Sequence, residues 1–204
     1  MSPAMERTGN GVPADSGALE RLRALLRREG GLMATLVEPE VGSEPGAIAE
    51  PAAGAEPGAA AESPASIAAN GPRAAGRREE YELLVEAIYE GYLLHYGAPR
   101  LVRVPEDDLK LLAGDRLYAI GLARLVALGD TLAVAELADT ITLSALAQGA
   151  GAAELAEAVW SAGARAVGWG PSEAHAHAKE LVLAGAPEAI EAMRTSSTGA
   201  IASP

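Results

Sequence analysis

From Arg77 to Val182 the apolar residues recur at three- and four-residue spacing, and glycine or proline separates one run from the next. This period belongs to amphipathic helices, and the punctuation marks their ends. No segment alternates apolar and polar residues as a half-buried strand does. The expected fold class is all-α, a bundle of about four to six helices joined by short loops.

The runs can be placed individually. In the first, Leu84, Ile88 and Gly91 share a face, flanked by Leu83, Ala87 and Leu94; Gly97 and Pro99 stop it. After APRLVRVPE, Asp107 or Asp108 is expected to cap a second helix, with Leu109, Leu112, Ile120 and Leu125 on its buried side and Gly129 at its end. Asp130 or Thr131 should cap a third, turning Leu137, Ile141 and Ala145 inward. A fourth spans 152–167 with Leu155, Val159 and Ala166 packed. A fifth opens at Pro171–Ser172 and carries Leu181 and Val182, and a short last one follows Pro187. The chain has no Phe, so its core must be built from Leu, Val, Ile and Ala, which favours closely approaching helices. Trp160 and Trp169 are expected in the core or at an interface.

The 204 residues suit one domain with extensions. Residues 1–30 read as an arm: a polar start, a helix that Ser16 could cap, and Leu19, Leu22, Leu25 and Leu26 on one face beside Arg21, Arg23, Arg27 and Arg28. Such a face fits docking in a protein groove, and residues 18–29 also suit peripheral membrane contact. GLMATLV at 31–37 is a short apolar island, a last piece of the docking segment or a strand that never forms. Residues 31–76, rich in Ala, Gly, Pro and Glu, read as a disordered linker. The bundle is then 77–195, and 196–204 a disordered tail.

Charge excludes one class of partner. The chain carries 28 acidic and 16 basic residues, net −12, and nucleic acid calls for a basic footprint. The arm, with five basic and four acidic groups, is net +1. With no cysteine, disulfides, thiolate metal sites and Cys nucleophiles are excluded. No apolar signal region opens the chain and no run of about 18 apolar residues interrupts it, so the expectation is a cytoplasmic protein without a transmembrane segment. HExxH, GxSxG, a Walker loop and a dinucleotide fingerprint are all missing. In EAHAH, His175 and His177 stand two apart, a spacing for a strand or loop rather than one helix face; Glu173 and His177 share a face but are too few for a structural metal site.

The stretch Glu86–Asp130 carries a more specific pattern. In LLAGDRLYAIGLARLVALGD, residues 111–130, the tripeptide Ala113-Gly114-Asp115 stands at the start of a long helical run. Upstream lie Gly97-Ala98-Pro99 and then Glu86-Ala87-Ile88-Tyr89-Glu90. Over residues 80–150 this resembles the trans-polyprenyl diphosphate synthase family of class I isoprenoid synthases, where D-D-x-x-D, R-R-G-x-P and A-G-D follow in that order. The resemblance implies part of the isoprenoid synthase fold, with Gly97, Pro99, Ala113, Gly114 and Asp115 as the structural motif. In the family the aspartates hold Mg²⁺ against an allylic diphosphate. Here Glu86 and Glu90 keep an acidic i,i+4 pair, but Ala87 replaces the middle carboxylate. The paired arginines become His95 and Tyr96, and no Asp follows Asp139, so the second aspartate-rich motif is missing. Too few residues remain for the distal helices of the family fold.

The residues admit a plainer reading as well. Glu86 and Glu90 suit a solvated helix face, His95 suits the dipole at a helix C-terminus, and Asp115 a structural place at a helix turn. The expectation is a truncated, degenerate member with no catalytic residues, metal or cofactor. It would be a scaffold or regulatory subunit pairing with a catalytic polyprenyl synthase or with itself. The alternatives are a weak Mg²⁺-dependent isoprenoid diphosphate-processing enzyme using Glu86 and Glu90, and a tethered adaptor or cargo protein that docks through its arm.

Overall fold

The computed structural model describes residues 14–37 and 62–198. The expected disorder of 38–61 and 199–204, and most of the polar N-terminus, lie outside the described residues. Among the described residues the chain is all-α. The helices are α1 Ala14–Glu29, α2 Gly31–Leu36, α3 Pro64–Asn70, α4 Arg78–Tyr96, α5 Asp107–Ala127, α6 Thr131–Gly149, α7 Ala153–Trp169, α8 Glu173–Leu183 and α9 Ala189–Thr198, with a single 3-10 turn at Pro72–Ala74. The one extended pairing described is an isolated antiparallel bridge, Val37 to Val102.

Two helices organise the rest. α4 takes α5 on one side and α1 and α3 on others; α7 takes α6, α9 and α3. α3 therefore lies between the two central helices. Its buried Ala65 and Ala68 join Leu84, Ile88, Trp160 and Val167 in one cluster. Leu22, Leu25 and Leu26 of α1 join Leu94, Leu117 and Ile120 in a second. Val159, Ala178, Val182 and Met193 anchor a third under α8 and α9.

Helix ends follow local chemistry. Glu79 and Glu80 occupy the first turn of α4 and His95 its last, each favourable against the helix dipole, and Gly97 closes it by donating its N–H to the Leu93 carbonyl. The Asp130 carboxylate caps α6 by accepting the Ala133 N–H at 3.0 Å. Ser172 caps α8 through His175 N–H at 3.1 Å. α5 differs from expectation: Glu106 is its N-cap and makes no side-chain cap bond, so Asp107 and Asp108 act in the first turn through their charge.

Small residues set the helix separations. A Cβ on Gly91 would lie 2.9 Å from the Gly114 carbonyl oxygen, and one on Gly121 would lie 2.8 Å from Ile88 Cδ1 and 3.0 Å from the Leu84 carbonyl oxygen. α4 and α5 meet at this closeness because those positions lack side chains, as a core without Phe requires.

Several expectations are corrected. The basic helix of residues 1–30 does not hang free: its leucine face is buried against α4, and Arg21 is hydrogen-bonded to Glu82. The 31–76 stretch contributes helix at both ends, because Met33, Val37, Ala65, Ala68 and Ala69 find apolar partners there. The island at 31–37 is α2 followed by the Val37 bridge, with Arg103 N–H donating to the Leu36 carbonyl at 3.0 Å. The tail begins later than 196, since Ser196 is buried in α9. Leu112, expected inside, is 63% exposed.

Candidate functional site

Glu86 and Glu90 stand one turn apart on α4, as their spacing demands. A solvated face was one expectation for them; both are 0% exposed. The break at Gly97–Pro99 turns the chain so that residues 100–102 reach back to α4. Glu90 Oε1 accepts the backbone N–H groups of Arg100 and Leu101, each at 2.7 Å, and that of Val102 at 3.4 Å. The Arg100 guanidinium donates through Nε to Glu90 Oε2 at 3.3 Å and through Nη2 to Glu86 Oε1. Buried carboxylates persist only when paired and hydrogen-bonded, and this loop supplies both. The sequence signal was a lone arginine directly after the Gly-Pro stop.

The remaining motif positions fall on the α4–α5 crossing. The His95 ring stacks on Tyr118 with centroids 5.3 Å apart, and its Nε2 lies 3.2 Å from Asp115 Oδ1. Burial raises the Tyr118 phenol well above its ordinary value, with Tyr96, Asp115 and Tyr92 adding to the shift. Tyr96 is exposed and tilts against Tyr92. Ala113 and Gly114 are buried, while Asp115 is exposed; Gly97 is exposed and Pro99 half-buried. The A-G-D tripeptide sits in the second turn of α5 rather than at its start. Its glycine sets the approach of α4, and His95 is the group that a Cβ there would strike. Among the described residues, no group of three or more His, Asp or Glu is placed to hold a metal ion.

Beside Arg100 an open cleft of 560 Å³ separates α3, α4 and α7. Its walls include Glu62, Pro64, Tyr89, Leu93, Glu157 and Trp160. Tyr89 and Trp160 meet edge to face at 5.0 Å, and the Arg100 guanidinium lies over the Tyr89 ring at 5.3 Å. The Tyr89 phenol is pushed up by burial; Arg100 opposes this, while Tyr92, Glu86 and Glu157 add to it. Trp160 is 2% exposed, and its Nε1–H has no hydrogen-bond partner among the described residues.

A second buried polar group joins α6, α8 and α9. His175 Nε2 lies 3.2 Å from Glu136 Oε2, and Lys179 Nζ donates to Glu136 Oε2 at 3.1 Å and to Asp139 Oδ2 at 2.7 Å. Burial pushes the Glu136 carboxyl up, but hydrogen bonds from His175 and Lys179 outweigh it and hold the group below its ordinary 4.5. Ser196 Oγ approaches His175 Nδ1 at 3.5 Å, which completes a Ser–His–Glu line. That hydroxyl donates to the Met193 carbonyl at 2.9 Å, so its proton is engaged with the backbone rather than with the imidazole. The EAHAH stretch is helical, and the two histidines part company: His175 is buried in this network and His177 exposed.

Among the described residues no helix is long and apolar enough to cross a membrane. No family model, no curated protein and no solved structure matches this chain.

Proposed function

We propose that the protein is a non-catalytic helical subunit, of the degenerate polyprenyl synthase-like kind, that pairs with a second helical chain. The partner is a copy of itself or a catalytic polyprenyl synthase. The observation that carries this reading is the outer side of α5. Leu112, Ala119 and Val126 are all exposed and recur at seven-residue spacing, the period of a helix–helix seam. They run about 21 Å along a helix whose other side is already packed by Leu117, Ile120 and Leu125. α6 adds exposed Leu132, Ala135 and Leu146, and Glu136 and Asp139 are its only charged residues. Exposed apolar residues at this spacing form a strip that a second helix can cover, with Asp115 and Arg116 exposed beside it.

The clamp at Arg100 supports the non-catalytic half of the reading. Glu90 already accepts three backbone N–H groups and the guanidinium, and Glu86 accepts the same guanidinium. Mg²⁺-dependent processing would need those oxygens released. Docking through the arm is disfavoured by the burial of Leu22, Leu25 and Leu26 within the chain's own core.

The test is light scattering on the purified full chain, alone and mixed with a polyprenyl synthase. A dimer or a hetero-complex that Leu112→Glu/Val126→Glu dissociates is the expected result. A wild-type monomer that binds no synthase would end the proposal.

A further inference from the structure

The chain carries five tyrosines, two tryptophans and no phenylalanine, so any aromatic cluster it builds consists of rings that a radical can oxidise. Tyr89, Tyr92, Tyr96, Tyr118 and Trp160 gather in one group. The Trp160 ring lies 5.0 Å from Tyr89 and 5.1 Å from Tyr92, centroid to centroid. Tyr92 lies 5.5 Å from Tyr96, one turn further along α4. His95 continues the group at 5.8 Å from Tyr96, and Tyr118 follows at 5.3 Å from His95. At these separations neighbouring rings touch. The remaining tyrosine, Tyr81, donates its hydroxyl to Asp130 instead. Met33 and Met193 are buried in the other two core clusters, and the chain has no cysteine, so neither places a sulfur within the group.

Access to a proton acceptor changes along the group. The Trp160 Nε1–H is sealed from solvent and has no hydrogen-bond partner among the described residues. Tyr92 is 6% exposed, and the group at its hydroxyl is a donor, Gln148 Nε2 at 2.7 Å, rather than a base. Burial raises the phenols of Tyr89, Tyr92 and Tyr118, so their protons leave reluctantly. Tyr96 is 45% exposed and meets water. An oxidised phenol becomes stable only when its proton leaves, so Tyr96 is the ring on which a missing electron comes to rest.

We propose that these rings form a one-electron relay that carries an oxidising equivalent from Trp160 to the surface phenol of Tyr96. A one-electron oxidant of the oxyl-radical class, arriving in the cleft that Tyr89 and Trp160 line, takes an electron from the indole and leaves as its anion. The indole radical cation keeps its N–H proton, since no acceptor reaches it, and remains the stronger oxidant for that. One electron then passes from Tyr92 to Trp160, and one from Tyr96 to Tyr92. The Tyr96 hydroxyl releases its proton to water and becomes a neutral phenoxyl radical, with both inner rings restored. A diffusible reductant of the enediol class returns a hydrogen atom to that oxygen and closes the cycle. The relay gives the core an exit for oxidising damage and needs no pairing of chains.

Transient absorption on the full chain tests this. Trp169→Phe keeps a ring beneath Arg165 and leaves Trp160 as the single indole. A laser pulse at the red edge of the indole band then ionises Trp160 without exciting the phenols. The expected result is a first-order decay of the indole radical, independent of protein concentration, matched by growth of the phenoxyl band. Adding Tyr96→Phe should abolish that growth, and Tyr92→Phe should slow it several-fold; both keep the ring, and unchanged helical circular dichroism confirms the fold. Tyr81→Phe and Tyr89→Phe should leave the phenoxyl yield unchanged. Indole decay without phenoxyl growth, growth that accelerates with protein concentration, undiminished growth in the Tyr96→Phe chain, or loss of growth in the Tyr81→Phe or Tyr89→Phe chain would each overturn the proposal.

Discussion

Glu90 holds Arg100 twice, once by its backbone and once by its side chain. Oε1 takes the Arg100 N–H at 2.7 Å and Oε2 the guanidinium Nε at 3.3 Å. Glu90→Gln can place one amide group toward those donors but puts an N–H₂ where the other oxygen accepted. The expected loss is about 2–3 kcal/mol, read as a lower midpoint in urea at unchanged slope. Arg100→Ala should cost about 3 kcal/mol or more, since two fully buried carboxylates lose their guanidinium. Arg100→Lys should recover only part, because an ammonium lacks the fork that spans both acids.

The α4–α5 crossing predicts a contrast between glycines. Gly121→Ala would press a methyl against Ile88 and the Leu84 carbonyl, and should cost about 1–3 kcal/mol. Gly149→Ala, in the last turn of α6 with open space around it, should be neutral or stabilise by about 0.5 kcal/mol. Thermal unfolding of the two variants side by side checks this.

Asp130 ties three parts of the chain together. It accepts from Arg73 Nη2 at 2.7 Å and from the Tyr81 hydroxyl while capping α6. Burial alone would raise its pKa, but hydrogen bonds from Tyr81, Ala133 and Arg73 outweigh it, and the group lies below its ordinary 3.8. A depressed carboxyl stabilises the fold while ionised. Its contribution should be complete above pH 3.8 and fade as pH falls through the lower folded value. Asp130→Ala should therefore cost about 2–3 kcal/mol at neutral pH, and the gap from wild type should narrow below pH 3.8.

The Glu136 network has windows on both sides of neutrality. Glu136 is depressed from 4.5, so its contribution fades on acidification below that value. Burial would lower Lys179, but Asp139 and Glu136 outweigh it and raise it above 10.5; its contribution holds up to pH 10.5 and is lost as pH rises through the higher folded value. Urea midpoints for wild type and Lys179→Met should differ at neutral pH and converge as pH rises through the higher folded value of Lys179.

The outer face of α5 predicts a separation of stability from assembly. Leu112→Glu/Val126→Glu should shift monomer stability by less than about 1 kcal/mol, because both positions are exposed. Sedimentation should change and the unfolding midpoint of the separated chain should not.

The helices from α4 to α8 were legible because period and punctuation agree: Gly97–Pro99, Asp130 and Ser172 each end or begin a helix as their chemistry requires. α3 was not. PASIAAN has no large apolar stripe, and its alanines count only because α4 and α7 close over them. Leu112 was misplaced because α5 is apolar on more than one side, and period alone does not say which side is covered within the chain. The acidic pair was legible as a pair, but its burial depended on Arg100, ten residues beyond Glu90 and across a turn. The cleft was not legible at all: Glu62 just before α3, Tyr89 on α4 and Glu157 on α7 lie far apart in sequence.

The seating of α1 against α4, with α2 packed on α1, has a consequence for what the chain tolerates. Their leucines and Val37 are joined to the rest only through residues 38–61, yet they share a cluster with Leu94, Leu101 and Leu117. A cut at Arg77 would strip two helices from one core and a third from another. What must be inherited together is the leucine face of α1 and the α4 surface that it covers.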